Sequence, residues 1–538
     1  MRVLWLQPGE NDDPIWVRPL SITLKDAGEF EALSYVWGDP KNTVEIECGA
    51  DKRPFSVTVS LRDALPERTQ QVQMMGLIYY HATRVVVWLG PDDTMAVPSV
   101  SLEEVSQYDT IKWKSLSAFF KRPWFERGWV IQEIGLANDA LFLCGDEELL
   151  LEEYIPFVEW LTARAQVVTN HFDIRLGTQI LITRYWEACR PLPGMQDDDA
   201  DRLAFLDLLA ASRLMLCSDP KDYVYAFLGH PSAFEAYPGD PTPYQDYETN
   251  FNIGRKPIIM PNYRQSTEKV YTHLARSVIK QMNNLDILSH VVHKENLEEY
   301  PTALPSWAPR WGPCPPYTSL GGSYYYKASG TMEPKFRFIA NQLHVRGFEF
   351  DVVEWSHEIW GVFSDGLFQT TIMPEDLLNN CVDRAYNYYK FRLWEKKCGL
   401  EPNREAFLYT LTAGLLGGNP AENRPEMFRA NAGFELKRVE ELQKEGEGGN
   451  ATRFLLDVQQ AAEGRALIYT REGYIGLAHR FVQRGDVCCV VGGATVPLIL
   501  RPQGGRYRLV SEAYVHGIMR GEAVREVTEK EFRNIVIY

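Results

Sequence analysis

Residues 119–135 read Phe119-Phe-Lys-Arg-Pro-Trp-Phe-Glu-Arg-Gly-Trp-Val-Ile-Gln-Glu-Ile-Gly135, with five aromatics, two arginines and two glutamates in one stretch. Pro123 suits the first position of a helix, where its missing N–H costs no intrahelical hydrogen bond. A helix running on from there sets Trp129 and Glu133 one turn apart on the same face. A carboxylate against an indole loses water, and desolvation raises its pKa toward values useful to an acid or a base. Glu133 is therefore the catalytic candidate. The same spacing also fits a structural reading, in which Glu133 pairs with Arg127 or caps a neighbour and the tryptophans fill a core.

Working back toward the N-terminus, Phe30-Glu-Ala-Leu-Ser-Tyr-Val-Trp-Gly-Asp39 alternates Leu33, Tyr35 and Trp37 with Ala32, Ser34 and Val36. Apolar character on both faces predicts a buried central strand of a parallel sheet. Gly38-Asp39-Pro40 ends it. Ligands of open α/β sheets gather beyond the carboxyl ends of the strands, so Trp37, Gly38 and Asp39 are candidate ligand contacts. A tight turn closed by the Asp39 side chain is the alternative. Residues 85–89, mostly valine and closed by Gly90-Pro91, predict a second buried strand, and residues 140–144 a third. Before them, residues 43–59 suggest a hairpin turning at Gly49–Asp51. Residues 61–65 and 67–82 suggest two helices, the second with Val72, Met75, Ile78 and Tyr79 at helical spacing.

Farther along, residues 152–281 read as mainly helical. The acidic run Asp197–Asp201 suits the positive end of a following helix better than a cation site. Residues 267–283 form a strong helical pattern, whereas the prolines in Leu304–Trp311 exclude helix interior. Strand-like runs return at 336–347 and 352–360. Others cover 466–470, 474–478, 487–491, 496–500 and 507–510, with Gly and Pro between them, as in a small meander or barrel. Helical and charged residues at about 367–463 interrupt these runs, and Glu445–Asn450 reads as a disordered tip. The expected organisation is an α/β domain over 1–150, a mainly helical region over 151–330, and a β-rich region over 331–538 with a helical insertion.

The chain has 538 residues, 45% of them apolar, and a formal net charge of −16. It is too long for one core, and it has no basic block to bind nucleic acid or an anionic membrane. No apolar run approaches the length of a membrane span, and no leader pattern opens the chain, so a cytoplasmic protein is expected. The nine cysteines are scattered without a Cys-x-x-Cys pair, which argues against a disulfide framework or a zinc site. Dinucleotide-binding, phosphate-loop, zinc-protease and nucleophile-elbow motifs are all missing.

Three blocks, Phe30–Asp39, Val85–Gly90 and Arg127–Glu133, resemble the hallmark blocks of the fungal heterokaryon-incompatibility (HET) domain. The likeness continues through Ser218–Gly229, Pro305–Trp311, Gly473–Ala478, Gly485–Asp486, Gly492–Arg501 and Glu512–Glu522, as in full-length HET-domain proteins. It implies a role in nonself recognition after hyphal fusion, ending in growth arrest or programmed cell death. A protein partner, or self-association through the HET domain, is implied with it. The HET domain is similar in turn to TIR domains, which implies a TIR-like (flavodoxin-like) N-terminal fold. On that likeness Ser34-Tyr35 match the end of the first TIR strand. Trp129–Glu133 match a Trp-x-x-x-Glu block whose glutamate contacts the nicotinamide-side ribose in NAD-cleaving members. The likeness implies NAD as a substrate rather than a resident cofactor. Glu133 would be catalytic, and Ser34, Tyr35, Trp37, Gly38, Asp39, Arg127 and Trp129 would lie about the ligand. The chain departs from the family at Leu65, which runs straight into Pro66-Glu67-Arg68 where members carry a further strand. The resemblance thus implies a domain lacking one central strand near 65–66. Two other functions follow from the same residues: a non-enzymatic recognition or scaffold protein, and an inactive paralogue with a degenerate HET domain.

Overall fold

A computed structural model describes residues 2–6, 16–21, 23, 28–35, 45–48, 53–56, 75–90, 110–164, 172–190, 205–234, 257–294, 303–314, 317–322, 325–358, 404–436, 451–528 and 531–538. Trp37, Gly38 and Asp39, the junction at 65–66, the acidic run at 197–201 and the tip at 445–450 lie outside the described residues. The chain divides into two compact units, Met1–Val270 with Trp311–Pro313, and Tyr271–Arg310 with Cys314–Tyr538. Residues 151–330 are shared between them.

In the first unit, β1 (Arg2–Leu6) pairs antiparallel with β2 (Trp16–Ser21). After β3 (Glu31–Tyr35) comes the expected hairpin, β4 (Glu45–Cys48) and β5 (Arg53–Ser56). β2 runs parallel to β4, giving a four-stranded sheet in the order β1-β2-β4-β5. The second sheet joins β3 to β6 (Arg84–Trp88), β7 (Ala140–Cys144) and β8 (Glu147–Leu150), in that order. The first three strands are parallel and β8 is antiparallel to β7. Parallel neighbours need long crossovers. Helical residues 75–81 lead into β6, and helices Thr110–Phe120 and Val130–Gly135 lie between β6 and β7.

Two expectations need correction. β3 is not buried on both faces: Ala32 and Ser34 are buried, but Leu33 is 58% exposed, and among the described residues β3 pairs with β6 alone. Alternating apolar residues mark two faces, yet they do not say whether both are covered. Nor does one helix run from Pro123 to Glu133. Pro123–Glu126 is a single 3₁₀ turn, Arg127 is extended (φ −78°, ψ 132°), and an α-helix starts afresh at Val130–Gly135. Pro123 does occupy the first turn, as expected. Helices Leu151–Arg164, Gly177–Ala188, Phe205–Ala211 and Asp222–Tyr225 follow in the same unit.

Helix Thr267–Met282 leads into the second unit and stops at Asn283, whose left-handed backbone (φ 48°) is the conformation a C-terminal cap requires. The strand expected at 336–347 breaks at a turn at 340–341: β9 (Phe336–Ile339) folds back on β10 (Gln342–Glu358), whose 17 residues join the rest of it to the strand expected at 352–360. Gly347 does not end β10. A Cβ there would stand 2.5 Å from Val490 O, so the bare backbone permits close pairing with the neighbouring strand. A small ladder, β11 (Leu415–Leu416) with β12 (Asn419–Pro420), and helices Arg404–Leu411, Pro425–Leu436 and Ala451–Ala462 precede the remaining strands. These are β13 (Arg465–Thr470), β14 (Ile475–His479), β15 (Val487–Val491), β16 (Leu498–Gln503), β17 (Arg506–Val515) and β18 (Arg533–Ile537). They pair in the order β13-β14-β17-β16-β15-β10, and β10 pairs back onto β13, so the sheet closes on itself. β10 reaches both neighbours because its register shifts after Glu349 and again after Val353.

Both faces of this sheet are covered. Ala466, Ile468, Ala478 and Ala513 belong to one core with Val490, Ile499 and Val510. Their neighbours Leu467, Tyr469, Leu477 and Tyr514 join a second core with Phe407, Phe428 and Phe454 from the helices. Through these cores runs one ion pair. Arg465 and Glu512 are fully buried and meet at 2.6 Å. Glu512 also accepts the Leu320 N–H (2.9 Å) and the Gly321 N–H (2.9 Å). Arg465 donates to Ala461 O (2.8 Å) and Thr318 O (2.6 Å) and lies over the Tyr317 ring, 4.1 Å from its centroid.

Removing one partner strands a charge in the core, so Glu512→Leu or Arg465→Met alone is expected to cost about 3–5 kcal/mol. Denaturant unfolding of the full chain reads this, and the double variant should recover most of the loss. Acid should weaken both units. Burial holds His230 down at about 3 and His293 at about 4, from an ordinary 6.5, so both stay neutral when folded. The unfolded chain takes up protons below 6.5 that the folded chain refuses. Stability is therefore full above pH 6.5 and falls as pH drops toward 4, by up to roughly 1.4 kcal/mol per pH unit for each histidine. Unfolding free energies at pH 7, 6 and 5 check the slope, and His293→Gln should flatten it.

Candidate functional site

Helix Val130–Gly135 begins where Trp129 turns into the right-handed region and accepts the Glu133 N–H at 3.1 Å. Glu133 thus sits in the first turn, where the helix dipole favours negative charge. The helix is fixed at both ends. Arg127 forms a parallel bridge with Leu216, and the Gly128 N–H donates to Leu216 O at 3.0 Å. A Cβ on Gly128 would fall 2.5 Å from Cys217 Sγ. That thiol is pushed up to about 12, chiefly by burial, so it is inert packing. At the other end the Arg190 guanidinium donates to the carbonyls of Gly135 (3.2 Å), Leu136 (3.4 Å) and Ala137, a cation on the negative end of the helix.

Glu133 is 2% exposed. The Ser34 hydroxyl donates to its Oε2, and Arg127 Nη2 lies 3.2 Å from its Oε1. The Trp124 indole N–H donates in turn to Ser34 Oγ at 2.8 Å. Trp124 is wholly buried, edge-on to Phe125 and Phe142 (centroids 5.0 and 5.8 Å). A chain of hydrogen bonds therefore runs from indole to hydroxyl to carboxylate to guanidinium. Arg127 Nη1 is buried without a hydrogen-bond partner. Two phenols stand close enough to feel these charges. Tyr79 is pushed well above its ordinary 10 by burial and by the Glu133 charge, against Arg127. Tyr35 is raised by burial and lowered by Arg127. Both stay protonated at neutral pH.

Four of the expected site residues, Ser34, Tyr35, Arg127 and Glu133, thus come together. Trp129 is adjacent, half-buried at the head of the helix. The indole in the hydrogen-bond chain is Trp124, which spacing alone did not single out. Its signal was the aromatic density of residues 119–125. Tyr79 and Arg190 were likewise missed, because no local pattern links them to Glu133. The Arg127–Glu133 pair that the structural reading anticipated is present.

Packing behind the helix is tight. Gln132 is buried, and the amide orientation that satisfies both its ends turns the nitrogen to Ala226 O (2.9 Å) and the oxygen to Gly76 N (3.0 Å). A Cβ on Gly135 would stand 2.3 Å from the Tyr185 ring, which is itself fully buried. Gly135→Ala is therefore expected to cost about 1–3 kcal/mol through overpacking. Thermal unfolding of the full chain measures it, and a neutral outcome would show that the ring can move aside.

Comparison with known proteins accords with this layout. Residues 62–133 match the family model "Heterokaryon incompatibility protein (HET)", and residues 427–535 match the "Het-6 beta-barrel domain". The chain is similar to "Heterokaryon incompatibility protein 6, OR allele" of Neurospora crassa, 21% identical over 99% of this chain and 95% of that protein. No solved structure matches. Among the described residues no helix is long and apolar enough to cross a membrane. The HET match ends on Glu133 and the barrel match covers β13 to β17, so the chain is similar to heterokaryon-incompatibility (HET) proteins in the region of the Glu133 site and in the closed sheet.

Proposed function

We propose that the chain is a cytoplasmic effector of fungal nonself recognition, triggering growth arrest or cell death through a TIR-like N-terminal domain that cleaves NAD. The supporting observation is the hydrogen bond from Ser34 to Glu133. It holds a buried carboxylate beside the carboxyl end of a parallel strand, where ligands of α/β sheets gather. In the reaction, water adds to C1′ of the nicotinamide-side ribose as the N-glycosidic bond breaks. The bonding pair leaves with nicotinamide, ADP-ribose remains, and the water releases one proton. The transition state is oxocarbenium-like, and the negative charge of Glu133 stabilises it. Ser34 and Trp124 orient the carboxylate. Arg127, Tyr35 and Trp129, with Trp37, Gly38 and Asp39, are assigned to the ligand. The match to a heterokaryon incompatibility protein over nearly the whole chain supports the biological setting.

A second reading has its own support. Both oxygens of Glu133 are engaged and the residue is 2% exposed, as in a carboxylate that only holds the domain together. On that reading the protein recognises or assembles with a partner and cleaves nothing.

Full-length wild type, Glu133→Gln and Ser34→Ala expressed in a fungal host separate the two readings. Colony survival and cellular NAD are the readouts. Enzymatic action predicts death and NAD loss with wild type, abolished in Glu133→Gln and weakened about 10- to 100-fold in Ser34→Ala, in line with removal of an orienting hydrogen bond. Death with NAD unchanged supports the scaffold. Equal killing by Glu133→Gln removes that residue from the mechanism.

A further inference from the structure

The second unit holds a pocket of about 440 Å³. It opens where β11 and β12 meet the first turn of helix Pro425–Leu436. Its walls are fixed. Gly417 and Gly418 are both left-handed (φ 62° and 77°), which turns β11 into β12. Buried Asp457 accepts the Gly417 N–H through both oxygens, at 3.0 and 2.9 Å. The Tyr325 hydroxyl donates to Asn419 Oδ1 at 3.3 Å, and the Ala421 N–H donates to Gly414 O at 2.8 Å.

The lining is divided by chemistry. Leu416, Pro420 and Met427 are apolar, and Met427 is 48% exposed. Asn419, Asn423 and Asn431 bring three amides, and Arg424 is the one charged residue of the lining. Two other exposed arginines of the unit have acidic partners: Arg429 pairs with Glu405 and Arg520 with Glu422, each at 2.9 Å. Arg424 has no acidic partner among the described residues, although the chain carries a net charge of −16. An exposed guanidinium among amide donors suits an anion, and the apolar wall suits a small hydrocarbon group beside it. A single cation matches a single negative charge. Glu426, in the first turn of the same helix, works against a dianion.

We propose that this pocket binds a carboxylate carried on a small apolar group, the chemistry of an apolar amino acid derivative or of an apolar C-terminal residue of a peptide. Arg424 takes the carboxylate in a two-pronged ion pair, the Asn423 amide donates to a remaining lone pair, and the hydrocarbon rests on Leu416 and Met427. The pocket shares no lining residue with the Glu133 centre, and the proposal does not depend on NAD chemistry.

Calorimetric titration of the full chain tests this, with N-acetylleucine and a leucine-ended hexapeptide, each as free acid and as amide. The free acid of at least one probe should bind, and its amide should bind about tenfold more weakly or worse, as loss of a charge-assisted hydrogen bond requires. Arg424→Met should weaken the acid by a similar factor, and Arg429→Met should leave it unchanged. Whichever acid binds more tightly identifies the source of the ligand. Equal binding of acid and amide, wild-type binding by Arg424→Met, or no binding of either acid at millimolar concentration would overturn the proposal. The amide comparison uses the wild-type protein, so it stands whatever the variants do to folding.

Discussion

A single hydrogen bond, from the Ser34 hydroxyl to the Glu133 carboxylate, ties the first parallel strand to a helix 99 positions later. A buried carboxylate is costly unless its lone pairs are met and its charge is opposed. Ser34 meets one oxygen and Arg127 opposes the charge at the other. Trp124 in turn supplies the Ser34 oxygen with a donor. The aromatic cluster, the 3₁₀ turn and the fresh start of the helix at Val130 all serve to bring these groups to one point. Were Pro123–Glu133 one unbroken helix, the extended joint at Arg127 and its bridge to Leu216 would be lost.

The second unit solves the same problem with more partners. Arg465 and Glu512 are deeper than Arg127 and Glu133, and their hydrogen bonds reach the loop at 317–322. This larger set of partners suits a pair that locks a closed sheet to a surrounding loop. Each pair keeps one guanidinium nitrogen buried and unpartnered, Arg127 Nη1 in the first unit and Arg465 Nε in the second. A group left unsatisfied in a packed interior costs free energy, and such places are where function is commonly found.

Much of the architecture was legible in the chain. The valine run at 85–89 and the run at 140–144 are strands because short apolar stretches closed by turns have few other uses. Thr267–Met282 is a helix to within one residue of its expected end, since its apolar periodicity is regular and Asn283 accepts a left-handed cap. The barrel strands were visible because Gly and Pro break them at short intervals. Less legible was the fate of β3. Its alternation is real, but whether Leu33 is covered depends on neighbours that alternation cannot specify.

The sequence by itself determined the kinds of element, their order, the acidic balance of the chain and the residue blocks shared with HET-domain proteins. These are local properties: periodicity, turn chemistry and residue type act over a few positions. Only the tertiary structure decided that Trp124 rather than Trp129 joins Ser34 and Glu133, that β10 closes a ring by bending between two partners, and that Arg465 finds Glu512. Each of these depends on contact between distant residues, and the chain encodes such contacts only through the combined packing of every element between them.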